Sequence, residues 1–263
     1  EALHLTLPLL DIPFDADHSV LKRMLTDDEL SRLQAAREQR IARRIPTPYI
    51  TRQAWFCGLP FYVDERVLIP RSPLGELIDD GFYPWLQHEP ARILDLCCGS
   101  ACIAIACAEA FPSAEVDAAD ISADALAVAA VNVGQYQLQG RLQLLESDMF
   151  SGVGNKRYDL IVCNPPYVDA DDMAALPDEY RHEPELALAS GADGLDFTRR
   201  LLREAADHLT GNGILIVEVG NSAEALERLF PAVPFVWLEF QRGGDGVFLL
   251  TAQDLQQCKG GFA

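Results

Sequence analysis

Four short stretches of this sequence carry side chains whose types and spacing could do chemistry. The most specific is Asn164-Pro165-Pro166-Tyr167, at the end of the apolar run Tyr158–Asn164. Two prolines lock the backbone where a strand must stop, because neither can donate to a sheet. They hold one side-chain amide, one free backbone carbonyl and one aromatic ring in a fixed cluster. Such a set can receive a flat group bearing two N–H donors: the Asn164 oxygen and the Pro165 carbonyl accept, and Tyr167 packs on its face. The second stretch is Asp95-Leu96-Cys97-Cys98-Gly99-Ser100-Ala101-Cys102-Ile103. It reads as a strand end, a small-residue turn and a helix start, where backbone can approach a ligand closely and the helix terminus favours an anionic group. It is also compatible with an ordinary tight turn, and it lacks the GxGxxG spacing of dinucleotide sites. The third is Asp120, a carboxylate able to accept both hydroxyls of a ribose, or else simply the N-terminal acid of a helix capped by Ser122. The fourth is Ser147-Asp148-Met149, in which Asp148 could accept from an adenine amino group.

What must position these residues is an alternation of short strands and helices that begins at Arg92. The expected strands are Arg92–Leu96, Glu115–Asp120, Leu142–Ser147, Tyr158–Asn164 and Gly213–Gly220. Between them fall helices over about Ala101–Phe111, Ala123–Tyr136 and Leu195–Leu209. That alternation predicts parallel βαβ units in a doubly wound sheet. Ligands of such sheets bind beyond the carboxyl ends of the strands, near the point where strand order reverses. All four stretches fall at such ends. Phe235–Phe240, a glycine-rich turn over Arg242–Gly246 and Val247–Thr251 read as an antiparallel hairpin at one edge.

Upstream, residues from about 18 to 45 read as helical, opened by the capping box Thr26-Asp27-Asp28-Glu29 and stopped by Pro46 and Pro48. Tyr49–Phe56 and Leu59–Glu65 read as a hairpin about Gly58. Pro70 and Pro73 then punctuate a linker, and a further helix runs to about Leu86. The expected organisation is a helical domain over 1–48, a β-hairpin and linker over 49–75, and the α/β domain over 76–263.

Charge narrows the partners. The 263 residues include 21 Lys and Arg against 40 Asp and Glu, a net charge of −19. Backbone contacts to nucleic acid come from clustered cations, so direct nucleic-acid binding is disfavoured. An acidic surface would speed encounter with a basic protein, or serve solubility alone. Apolar runs are interrupted well before the roughly 20 residues a membrane helix needs. No signal-peptide pattern opens the sequence, and the cytoplasm is the expected compartment. Cys57, Cys97, Cys98, Cys102, Cys107 and Cys163 sit among apolar neighbours and read as reduced core residues. The spacing of Cys97, Cys98 and Cys102 is not that of a metal site, and none is expected.

The run from Arg92 to Thr251 resembles the class I, Rossmann-like methyltransferases, and Asn-Pro-Pro-Tyr resembles those acting on amide or exocyclic amino nitrogens. Over nearly the whole chain the likeness narrows to the protein glutamine methyltransferases, which join this domain to a small N-terminal helical one. Ala54–Gly58, Tyr62–Pro73 and Arg181–Leu186 carry a likeness to the members that act on large-subunit ribosomal protein three. The resemblance implies a seven-stranded, mostly parallel sheet and S-adenosylmethionine as cofactor. It assigns Asp95, Gly99, Ser100 and Ala101 to the cofactor's amino-acid part, Asp120 to its ribose, and Asp148 with Met149 to its adenine. Asn164, shared with the cofactor, and Pro165, Pro166 and Tyr167 would surround the substrate glutamine. Cys97 and Ala101 depart from the family, which often has glycine there; Ala101 would place a methyl group at a close-approach point. His182 and Glu183 read as a structural salt bridge or cap. Three other readings stay open: methylation of peptide chain release factors, adenine-amino methylation of nucleic acid on a flipped base, and a non-catalytic ribosome-assembly scaffold.

Overall fold

The computed structural model describes residues 1–262. Its N-terminal third is small and helical. Helix α1 spans Ala2–Leu9, a single 3₁₀ turn His18–Lys22 follows, and α2 spans Asp27–Ala42. The Thr26 hydroxyl accepts from Glu29 N while Glu29 accepts from Thr26 N, so the expected capping box forms. The expected continuous helix is broken between Lys22 and Asp27, where residue 26 caps rather than continues. Tyr49–Thr51, expected as strand, lies in helix α3 (Thr47–Thr51). Pro46 precedes that helix and Pro48 sits in its first turn, where a fixed φ favours the helix and the missing N–H costs nothing. The hairpin itself forms, as β1 (Ala54–Phe56) and β2 (Leu59–Phe61) in a two-stranded antiparallel sheet. It stops at Phe61 because Tyr62 N donates to Asn132 Oδ1 at 2.8 Å instead of to a strand. Helix α4 (Leu74–Asp79) then leads toward the main sheet, ending seven residues short of the expected Leu86.

The main sheet contains β3 (Arg92–Leu96), β4 (Glu115–Asp120), β5 (Leu142–Glu146), β6 (Tyr158–Cys163), β7 (Leu209–Glu218), β8 (Val236–Trp237) and β9 (Val247–Thr251). Helix α5 (Cys102–Ala110) follows β3, and α6 (Ala123–Gln135) follows β4. Helices α7 (Ala170–Ala175) and α8 (Asp196–Glu204) lie between β6 and β7. Helix α9 (Ala223–Leu229) follows β7, and α10 (Ala252–Cys258) closes the described chain. Strand order is β5-β4-β3-β6-β7-β9-β8, with β9 antiparallel to both neighbours and every other pairing parallel. The order reverses between β3 and β6, so the crevice falls at their carboxyl ends. This is the doubly wound sheet expected from the sequence, with its edge hairpin.

The central strands carry apolar residues on both faces because both faces are covered. Successive side chains alternate sides: Ile93, Leu160, Val162, Ile214 and Ile216 join the core beneath α4, α5 and α6. Leu94, Leu96, Ile161, Cys163, Leu215 and Val217 join the opposite core beneath α8 and α10. Each such side chain, fully buried, contributes roughly 1.5–3 kcal/mol of transfer free energy. Burial on both faces makes the strands rigid, and rigid strands fix what sits at their ends.

Candidate active site

The turn leaving β3 bends through three residues in the left-handed region, Cys97, Gly99 and Ala101, with φ of 59°, 52° and 61°. It is held from behind. Asp95, fully buried, accepts from Ala104 N through Oδ2 at 2.9 Å and so ties the strand to the first turn of α5. Its Oδ1 has no partner among the described residues, and burial raises its pKa to about 8. The Ser100 carbonyl accepts from Asn132 Nδ2 at 2.9 Å, and Ala101 is the buried N-cap of α5. None of these three lines the cleft. The Ala101 methyl group is therefore turned into the core, and a methyl in place of glycine costs left-handed strain of about 1 kcal/mol rather than a clash with ligand.

Gly99 does line the cleft, and a Cβ built there would meet no atom within 4 Å: the position opens onto space. Its N–H donates to Asp120 Oδ2 at 2.9 Å, and Ser122 N donates to Oδ1 at 2.9 Å. The two backbone donors orient the carboxylate at the end of β4 yet leave lone pairs free on each oxygen. Burial raises the Asp120 pKa, opposed by these N–H groups. At the end of β5, Met149 is buried against the cleft, and its carbonyl accepts from Ser147 Oγ at 2.7 Å. Asp148 also lines the cleft, but Arg200 of α8 already grips it, at 3.1 and 3.2 Å. A carboxylate for a ribose, open space over a glycine turn and an apolar floor at Met149 together fit S-adenosylmethionine.

Asn164 closes this cleft and opens the next. A second pocket of about 310 Å³ is lined by Arg71, Asn164, Pro165, Tyr167, Tyr180 and Leu188, among others. Leu68, Asn164 and Ala187 belong to both walls. Asn164 Nδ2 donates to the Arg71 carbonyl over a long 3.5 Å, and among the described residues no donor reaches its Oδ1. Pro165 is buried and Pro166 faces the first cleft. Tyr167 is fixed from three directions. Its hydroxyl donates to Glu218 Oε1 at 2.9 Å, and its carbonyl accepts from Ser222 Oγ at 3.0 Å. Its ring lies so close to Gly220 that a Cβ there would come within 2.7 Å. Burial raises the Tyr167 pKa, Glu218 adding to it, and burial raises that of Glu218 in turn.

The partners that hold the walls of this second pocket are not given by local spacing. Glu183, buried, accepts from Arg71 Nη1 at 2.7 Å and from Ile69 N at 3.0 Å. The Arg71 guanidinium lies over the Tyr180 ring at 4.9 Å. Glu183 thus has the structural ion pair expected of it. His182 Nε2 meets the Arg43 carbonyl at 2.9 Å, and Arg40 donates to Glu179 at 3.1 Å, so α2 rests on the same loop. Arg71 and Glu183 lie in the two runs that carry the family likeness, yet no local spacing pairs positions 112 apart. All seven cysteines are free thiols, and no cluster of three or more His, Cys, Asp or Glu is placed to hold a metal among the described residues.

Residues 81–178 match the family model described as methyltransferase small domain. The fold resembles a methyltransferase from Pyrococcus furiosus, with a TM-score of 0.54 at 16% identity over 86% of this chain and 99% of that one. The fold is Rossmann-like. Sequence carries it further. A ribosomal protein uL3 glutamine methyltransferase of Francisella tularensis is 46% identical over 100% of this chain and 84% of its own length. Its counterpart from Neisseria gonorrhoeae is 49% identical over 97% and 86%. The chain belongs to this family of protein glutamine methyltransferases.

Proposed function

We propose that the protein transfers a methyl group from S-adenosylmethionine to the side-chain amide nitrogen of a glutamine in large-subunit ribosomal protein uL3. The observation that carries this is the shared wall: Asn164 faces the cofactor cleft on one side and the amide pocket on the other. A methyl donor in the first and a carboxamide in the second would meet across one residue.

A carboxamide nitrogen is a poor nucleophile because its lone pair is delocalised into the carbonyl. Bound in the cleft, S-adenosylmethionine supplies an electrophilic methyl group on its sulfonium. Asp120 and the Gly99 turn hold the cofactor by ribose and backbone, and Met149 meets its adenine. Asn164 Oδ1 and the Pro165 carbonyl accept the two amide hydrogens, and the Tyr167 ring packs on the flat group. This aims the nitrogen along the displacement axis and stabilises positive charge developing on it. The nitrogen–methyl bond would form as the sulfonium–methyl bond breaks, leaving S-adenosylhomocysteine, and the amide proton would pass to water once the alkylated nitrogen has become acidic, so no dedicated base is required.

The acid excess suits a basic ribosomal protein, which it would steer. The N-terminal helices and hairpin, ahead of Pro70, serve in substrate recognition. The target is taken before or during subunit assembly, in the cytoplasm and without a membrane; no helix among the described residues is long and apolar enough to cross one. The test is methyl incorporation into free uL3, a peptide chain release factor, assembled large subunits lacking the mark, and ribosomal RNA. Free uL3 should be labelled fastest. Preference for release factors or RNA would overturn the substrate assignment, and equal labelling of assembled subunits would overturn the timing.

A further inference from the structure

Strand β7 ends in an anomaly. Leu215, Ile216 and Val217 are wholly buried, and the next residue, also buried at 6% exposure, is the carboxylate Glu218. A buried carboxylate costs several kcal/mol unless bonded, and an apolar residue of similar size is often no less stable there. Its two partners both lie upstream, in segments far apart from each other in the chain. Ser72 Oγ donates to Oε2 at 2.6 Å, from 146 residues upstream, and the Tyr167 hydroxyl donates to Oε1 at 2.9 Å. Ser72 follows Arg71, whose carbonyl receives Asn164 and whose side chain walls the amide pocket. Glu218 itself lines neither the cofactor cleft nor that pocket; it faces a separate groove behind them.

We infer that Glu218 is a positioning residue for methyl transfer: one carboxylate pins the Tyr167 ring and the Arg71–Ser72 segment to a single point, and so fixes two walls of the amide pocket relative to each other. This rests on the reading of Tyr167 as the face on which the amide lies. Gly220 backs the ring on one edge, which prevents it from retreating but not from tilting. The hydroxyl tether removes that tilt. A phenylalanine would keep the packing and lose the tether; a glutamine at 218 has one acceptor where two are used.

The experiment measures single-turnover methyl transfer to uL3, with S-adenosylhomocysteine affinity as the parallel readout. The variants are Glu218→Gln, Tyr167→Phe, their combination, Tyr167→Ala and Ser72→Ala. Glu218→Gln and Tyr167→Phe should each slow transfer roughly 10-fold, since small misplacement of a reacting group is expensive. Because both loosen the same clamp, the double variant should be slower by less than the product of the two single effects. Ser72→Ala, a milder change at the other end of the clamp, should slow transfer a few-fold. Affinity for S-adenosylhomocysteine should stay unchanged in all of them. Normal rates in Glu218→Gln, effects that multiply, or a matching loss of cofactor affinity would each overturn the inference. A full rate in Tyr167→Ala would instead remove Tyr167 from the amide, and the inference with it.

Discussion

The cofactor cleft and the amide pocket share Asn164, yet they are assembled on different principles. The polar part of the cleft is delivered by strand ends, each with one short turn, and Asp120 there is held by backbone N–H groups of its own neighbourhood. The amide pocket is held by bonds that span the chain. Arg71 reaches Glu183, Ser72 reaches Glu218, and Arg40 reaches Glu179, over 112, 146 and 139 residues. A site built from strand ends tolerates change in what surrounds it, because two covered faces already fix the strands. A site built from long-range ties can be retuned by a single contact. Binding a common cofactor asks for the first design, and recognising one protein side chain asks for the second.

If that division is right, damage should separate along it. Asn164→Ala should cause the largest effect, lowering turnover by roughly 10²-fold or more through loss of the acceptor that orients the amide. S-adenosylhomocysteine affinity should fall much less. A near-normal single-turnover rate would place the amide elsewhere. Asp120→Ala should do the reverse, weakening S-adenosylhomocysteine by about 1.5–3 kcal/mol, the cost of charge-assisted hydrogen bonds to a ribose. Calorimetric titration checks this, and an unchanged affinity in a folded variant would take Asp120 out of the cleft.

The third test concerns the frame beneath the cleft and its sign can be worked out. Asp95 has its folded pKa raised to about 8 by burial, against an unfolded value of about 3.9. Between these values the folded state holds a proton that the unfolded state releases, so the Asp95 contribution to stability falls as pH rises. Asp95→Asn keeps an acceptor for Ala104 N and removes the titration. Its melting temperature relative to the native protein should therefore rise from pH 5 to pH 8. A difference independent of pH would mean that Asp95 ionises freely where it is.

How far the sequence discloses each region follows the same division. Glu115–Asp120 and Val247–Thr251 have the expected strand bounds to the residue, because short, largely apolar segments set between turn residues leave few alternatives. Gly99, Asp120, Asp148, Met149, Asn164 and Pro166 all reach the cleft, since position at a strand end is local information. Asp95, Ser100 and Ala101 belong to the same turn but face away from it; sequence marks the turn and cannot say which of its side chains look out. Tyr49–Thr51 carries strand-like side chains and forms a helix, because Pro46 and Pro48 set the backbone first. Glu218 looks like an ordinary acid until distant segments fold onto it, and Glu183, legible as a structural charge, does not disclose Arg71 as its partner. Partners 51 to 146 residues away leave no spacing to read.

The most direct test of methyl transfer across the Asn164 wall is to locate the methyl group. The protein would be incubated with labelled S-adenosylmethionine and undermethylated uL3, and the product mapped by fragmentation mass spectrometry. The label should appear on one glutamine, on its side-chain nitrogen, and disappear with Asn164→Ala while S-adenosylhomocysteine still binds. Label on a lysine, arginine or backbone position, or undiminished labelling by Asn164→Ala, would contradict a pocket built to hold a carboxamide against the cofactor.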